Sequence, residues 1–223
     1  MKNIIEININ EKVYSKKKEE SLSILNKFNL EVKEGEKLSI VGESGVGKTS
    51  LLNILGLIDS DFDGTYRLFG EDTLKLNEKE KAKLRNKKIG FALQESALID
   101  SLSIEENIKL PLMYIDSKDQ SFDQKEYNEM IHTIGIESIL KKKPNQCSGG
   151  QRSRAVFARS IIMKPNIILS DEPTSSLDVE NKEKIMNLLF KMNEKYNTTI
   201  ITVTHDLEVA NQHDRVIRLE RSK

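Results

Sequence analysis

Apolar and polar positions alternate at the start of the chain, where Ile4-Ile5-Glu6-Ile7-Asn8-Ile9 has the period of a half-buried strand. Residues 21–32 continue in that style, and Lys33-Glu34-Gly35-Glu36 turns the chain into the apolar run Leu38-Ser39-Ile40-Val41. Leu51, Leu52, Ile54 and Leu55 then share one face of a helix that begins at Lys48. A turn over 59–64 leads to a strand, Thr65-Tyr66-Arg67-Leu68-Phe69, that stops at Gly70. The charged stretch 77–88 predicts a surface helix, and Ile89-Gly90-Phe91-Ala92-Leu93 a short buried strand with Gln94 at its end.

From there to Pro144 the pattern turns helical, with Ile104, Ile108, Leu110 and Leu112 in one part and Tyr127, Met130, Ile131 and Ile134 in another. The polar stretch 116–123 connects them, and without repeats or heptads the region predicts a compact helical sub-domain. Ala155, Ala158, Ile161 and Ile162 recur at helical spacing until Lys164-Pro165 ends the pattern. Asn166-Ile167-Ile168-Leu169-Ser170 reads as a fully buried parallel strand, helix signals resume at about Val179, and residues 199–204 are expected to form a last buried strand with His205 at its tip. Such alternation predicts an α/β fold with a mainly parallel sheet, whose ligands bind beyond the carboxyl ends of strands. Lys48, Gln94, Asp171 and His205 all lie just beyond such ends.

Residues 42–49, Gly42-Glu43-Ser44-Gly45-Val46-Gly47-Lys48-Thr49, fit the phosphate-loop pattern G-x-x-x-x-G-K-[ST] between a strand and a helix. Its glycines let several N–H groups turn toward phosphate oxygens, and the helix N-terminus adds a positive dipole end. In that pattern Lys48 reaches the β- and γ-phosphates and Thr49 holds magnesium. A glycine-rich helix cap is the plainer reading, but the four fixed positions coincide by chance in roughly one chain of this length in a hundred.

Composition narrows the classes. At 223 residues the chain suits one large domain or one domain with a sub-domain. Lys+Arg and Asp+Glu both number 35, so charge points neither to nucleic acid nor to an anionic membrane surface. The basic runs at 16–18 and 141–143 read as solvated loop ends. A sole cysteine, Cys147, excludes an internal disulfide, and no leader pattern opens the sequence, so a reducing cytoplasm is expected. No apolar stretch approaches 18 residues, so any membrane association is expected to come through a partner.

Phosphoryl transfer to water needs a metal, a group to orient the water, and positive charge where negative charge develops. Asp171 is placed as the magnesium-linked acid and Glu172 as general base toward water. An Asp-Glu pair alone is usually a solvated turn; a phosphate loop upstream and Pro173-Thr174-Ser175-Ser176-Leu177-Asp178 downstream change that reading. Cys147-Ser148-Gly149-Gly150-Gln151 opens a second glycine-containing helix, a second potential phosphate site.

Together these residues resemble the nucleotide-binding subunit of an ATP-binding-cassette (ABC) transporter, over essentially the whole chain. The resemblance implies a single ATP-binding domain over 1–223. It would have a P-loop NTPase core, an antiparallel β sub-domain near the N-terminus and an inserted helical sub-domain at about 95–160. It also implies ATP and Mg2+ as cofactors. Tyr14 matches the aromatic that stacks on adenine, and Gly42, Ser44, Gly45, Gly47, Lys48, Thr49 and Ser50 the phosphate-binding set. Gln94 matches the glutamine that faces the membrane partner and the metal, and Ser148, Gly149, Gly150 and Gln151 the signature usually written L-S-G-G-Q. Asp178 lies in the stretch similar to the loop crossing the dimer interface, and His205 matches the histidine on the γ-phosphate. Lys48, Gln94, Glu172 and His205 form the implied catalytic set, and Thr49, Gln94 and Asp171 the implied metal set.

The family implies two chains head to tail, each ATP between the phosphate loop of one and the signature of the other. It further implies a separately encoded permease, with the chain at the cytoplasmic face of the membrane and no nucleic-acid partner. Cys147 stands where leucine is usual and Ser170 where alanine often precedes the acidic pair. Cys147 fits two readings, a redox-sensitive thiol at a helix start or a small apolar stand-in, and the second is simpler. His132 and His213 match no motif. Short stretches, Asn53-Ile54-Leu55-Gly56, Gly64-Thr65-Tyr66, Glu106-Asn107-Ile108 and Pro111-Leu112, resemble the lipoprotein-release, macrolide-export and antimicrobial-peptide export branch. Two rival readings are a soluble ABC-type switch that clamps nucleic acid or a ribosome and a subunit that binds ATP without turnover. Neutral charge and the absence of a second cassette speak against the first, and the complete acid-base set against the second.

Overall fold

The computed structural model describes residues 2–15, 21–93, 98–115, 122–173 and 179–220, and within them the side chains of all but 14, 15, 21–23, 93 and 179–181. The elements run β1 (Asn3–Ser15), β2 (Ser21–Lys33), β3 (Lys37–Val41), α1 (Lys48–Leu55), β4 (Asp63–Leu68), β5 (Glu71–Asp72), α2 (Glu78–Lys88) and β6 (Ile89–Leu93). They continue through α3 (Ile104–Lys109), α4 (Gln124–Ile134), α5 (Gly149–Ile161), β7 (Ile167–Asp171), α6 (Val179–Tyr196), β8 (Thr199–Thr204), α7 (Leu207–Ala210) and β9 (Arg215–Arg218). The chain divides into two compact units, residues 1–82 with 199–223, and residues 83–198.

In the first unit, β2, β1, β4 and β5 form an antiparallel sheet in that order. Ile5, Ile7 and Ile9 are buried while Glu6 and Asn8 are exposed, so the alternation in sequence becomes one dry face and one wet face. β3 lies between β8 and β9 and runs parallel to both. α1 buries Leu51, Leu52, Ile54 and Leu55, and the carbonyl of Leu55 accepts from the buried Tyr66 hydroxyl at 2.8 Å. Lys12, only 3% exposed, is paired with Asp59 at 2.9 Å, so β1 is tied to the loop after α1. Removing one partner of such a buried pair costs about 3–5 kcal/mol.

In the second unit, β6 and β7 pair in parallel, from Ile89 with Ile167 to Leu93 with Asp171. Ser103 caps α3 and Glu106 reciprocates as a capping box, while Pro111 follows the helix and a 3-10 segment, Leu110–Tyr114, replaces further α-helix. Asn107, fully buried, accepts from the Ile99 N–H at 2.7 Å and donates to the Ile99 and Ser103 carbonyls at 3.1 and 2.9 Å. Asp123 caps α4, and Gly135 ends it with φ 70°.

Residues 199–204 form the last buried strand, and the mostly exposed β9 follows and takes the far side of β3. One expectation needs correction: the charged helix α2 is not wholly a surface element. Lys81 is 6% exposed, its stem buried and its ammonium donating to Ser60 Oγ at 2.8 Å.

Candidate functional site

The phosphate loop leaves the carboxyl end of β3. Its entry is tight: a Cβ on Gly42 would lie 2.6 Å from the Leu219 carbonyl oxygen and 2.8 Å from Val46 Cγ1. Gly47 caps α1 with φ 104°, a left-handed conformation, and a Cβ there would also meet Ile24 Cγ2 at 2.6 Å. Val46 is buried and anchors the loop, whereas Glu43, Ser44 and Gly45 are exposed at its crest. The Lys48 ammonium donates to the carbonyls of Gly42 and Glu43 at 2.7 and 2.8 Å, so it sits at the loop it closes. Thr49 and Ser50 occupy the first turn of α1, which carries no acidic side chain to oppose an anion.

β8 runs beside β3 in register, with Val41 opposite Thr204. His205 therefore leaves the same sheet edge as the phosphate loop, and its side is exposed. Asp206 immediately caps α7, accepting from the Glu208 and Val209 N–H groups at 2.8 and 3.3 Å.

The second unit places Asp171 as the last residue of β7, half-buried, directly opposite Leu93. Glu172 follows with φ 46°, a region costing a non-glycine residue about 1–3 kcal/mol. Ser170 is buried and its hydroxyl reaches the Ala92 carbonyl at 3.4 Å, which accommodates this departure from alanine without exposing a polar group. At the start of α5, Ser148 accepts from the Gln151 N–H at 3.3 Å while Gln151 Oε1 accepts from the Ser148 N–H at 2.9 Å. This capping box fixes the glycine-bearing first turn, and a Cβ on Gly149 would meet nothing within 4 Å, leaving open space beside the backbone. Cys147 is buried, with Sγ 3.5 Å from the Lys143 carbonyl, the setting of a packing residue.

The first unit thus brings together the phosphate loop and His205, and the second holds Asp171, Glu172 and the signature turn. Tyr14 is placed by its backbone, opposite Leu22 in β1 and β2, but its side chain lies outside the described residues. Gln94 and Asp178 lie outside them altogether. Sequence reasoning set His213 aside, yet it is buried against Thr202. The available signal was Ser39 and Thr202, hydroxyls embedded in apolar strands that need buried partners.

Residues 25–175 match the family model described as ABC transporter. The chain is 41% identical over 194 residues to the bacitracin export ATP-binding protein BceA of Halalkalibacterium halodurans, covering 87% of this chain and 76% of that one. It is 38% identical over 193 residues to the lipoprotein-releasing system ATP-binding protein LolD 1 of Rhodopirellula baltica, covering 86% and 84%. In structure it resembles the ATP-binding cassette MJ0796, a dimer in a post-hydrolysis state with ADP and Pi, with a TM-score of 0.89 and 38% identity over 97% of this chain and 94% of that one. This chain belongs to the ABC transporter family, among its ATP-binding proteins.

Proposed function

We propose that this chain is the ATP-hydrolysing subunit of an ABC export system, closing as a dimer around two ATP molecules and passing that motion to a separately encoded membrane permease. The observation that carries this reading is the in-register pairing of β3 with β8, which sets the phosphate loop and His205 at one edge. Lys48 and the loop N–H groups hold the β- and γ-phosphates, and Tyr14 stacks on adenine. Glu172 accepts a proton from water as the water oxygen bonds to the γ-phosphorus, and the bond to the β–γ bridging oxygen breaks to release ADP. His205 and Gln94 contact the γ-phosphate side of the site. Ser148, Gly149, Gly150 and Gln151, with Asp178, complete the site of the other copy across the dimer.

The Thr49 hydroxyl, the Asp171 carboxylate and the Gln94 amide oxygen are hard oxygen donors of the kind that would hold Mg2+, and that ion would supply neutralisation of phosphate charge. No helix among the described residues is long and apolar enough to cross a membrane, and the proposal has the permease hold the chain at the cytoplasmic face. Relatives named for bacitracin export and for lipoprotein release support the export direction of this reading.

The test is phosphate release by the purified chain together with identification of membrane proteins that copurify in mild detergent. Release that Lys48→Ala abolishes, with a copurifying permease, is expected. Copurifying ribosomes or nucleic acid would overturn the transport role while leaving the ATPase standing.

A further inference from the structure

We propose that His213 is a positioning residue for His205, acting through a buried polar bridge between the strand that ends at the phosphate loop and the turn that follows His205. The inference rests on the reading of His205 given above. Ser39 on β3 and Thr202 on β8 are register partners, both fully buried. The ring of His213, 8% exposed, bonds Thr202 Oγ1 through Nε2 at 2.9 Å and the Val209 carbonyl through Nδ1 at 3.0 Å. Ser39 Oγ donates to the next carbonyl, Ala210, at 3.1 Å, and the His213 N–H donates to that same oxygen at 3.1 Å.

A carbonyl only accepts, so Nδ1 carries the proton, and neutral His213 then accepts from the Thr202 hydroxyl at Nε2. Burial keeps the ring below its ordinary pKa, with nearby Lys37 in the same sense and Asp214 and the backbone bonds opposing. The consequence lies in α7. A helix of four residues has no stability of its own, because it has nucleated without propagating. Its geometry comes from what holds its ends, Asp206 at the start and His213 with Ser39 at the last carbonyls. His205 lies between Thr202 and Val209, the two residues that His213 clamps. No motif of the sequence assigns this role.

The experiment compares the full-length native chain with His213→Leu, Thr202→Val, Thr202→Ser and His205→Ala, and reads the His213 tautomer by long-range proton–nitrogen NMR of the native chain. The expected result is the Nδ1–H tautomer, with kcat lowered about tenfold in His213→Leu and Thr202→Val, as misplacement of a catalytic contact can produce. KM for ATP should change less than about twofold, since loop binding is untouched. Thr202→Ser, which keeps the hydroxyl, should hydrolyse as the native chain does. An Nε2–H tautomer, an unchanged kcat in His213→Leu, or equal losses in Thr202→Ser and Thr202→Val would overturn the inference. The tautomer and the Thr202 pair decide it even where His213→Leu does not fold. Should His205→Ala hydrolyse normally, the reading of His205 itself fails; slow His205→Ala beside fast His213→Leu sinks only the positioning role.

Discussion

Val41 and Thr204 stand opposite each other as the last residues of two parallel strands, so the chain leaves β3 and β8 at the same level of the same sheet edge. A phosphate-holding loop follows the first, and a histidine follows the second. Side-chain direction reverses with each residue of a strand, so a slip of one position would exchange the two buried faces of β8 and move His205 out of level with the phosphate loop.

The phosphate loop depends on a backbone approach that only glycine permits at its entry. Gly42→Ala would drive a methyl to within 2.6 Å of the Leu219 carbonyl oxygen, and a main-chain atom cannot swing aside. We expect a stability loss of about 1–3 kcal/mol, as for overpacked interiors, with ATP affinity reduced as the loop shifts. Urea unfolding and nucleotide titration of the variant check both.

Asn107 organises the chain ahead of α3 through three hydrogen bonds to main-chain groups of Ile99 and Ser103. Asn107→Ala takes the acceptor away from the Ile99 N–H, while the Ile99 and Ser103 carbonyls keep the backbone N–H groups of Leu102 and residue 107; one unpaired group costs about 1–3 kcal/mol. Chemical denaturation should show a loss of about 1–3 kcal/mol, above that of an ordinary surface substitution.

His213 makes stability depend on pH. Its pKa is lowered in the folded chain, chiefly by burial. Below about pH 6.5 the unfolded chain binds a proton at this residue that the native chain refuses, so stability is present above that value and falls as pH drops through the folded value. The urea midpoint of the native chain should therefore fall more steeply than that of His213→Leu between about pH 7 and pH 5.5. Parallel curves would contradict it.

Much of this was readable without coordinates. The phosphate loop, the glycine-containing helix start at Ser148, and the buried runs of β3, β7 and β8 announce themselves because motif and periodicity agree locally. β9 does not, because Arg215-Val216-Ile217-Arg218 is a short strand with charged ends that pairs along β3, and too few alternations separate it from a loop. Lys81 reads as surface charge, yet like Lys12 it buries its stem against the loop at 59–61, which only the tertiary fold brings to them. The role of His213 was equally hidden, since Thr202 lies 11 positions away along the chain.

The central claim is that ATP closes two copies of this chain and that Glu172 then opens the way to hydrolysis. The direct measurement is the mass in solution of Glu172→Gln with and without Mg-ATP, alongside its phosphate release. An amide cannot accept the proton of the attacking water, so turnover should fall by at least about a hundredfold while ATP binding persists. The account predicts a doubled mass that appears only with ATP. A variant that stays monomeric with saturating ATP, or that releases phosphate at the native rate, would contradict it.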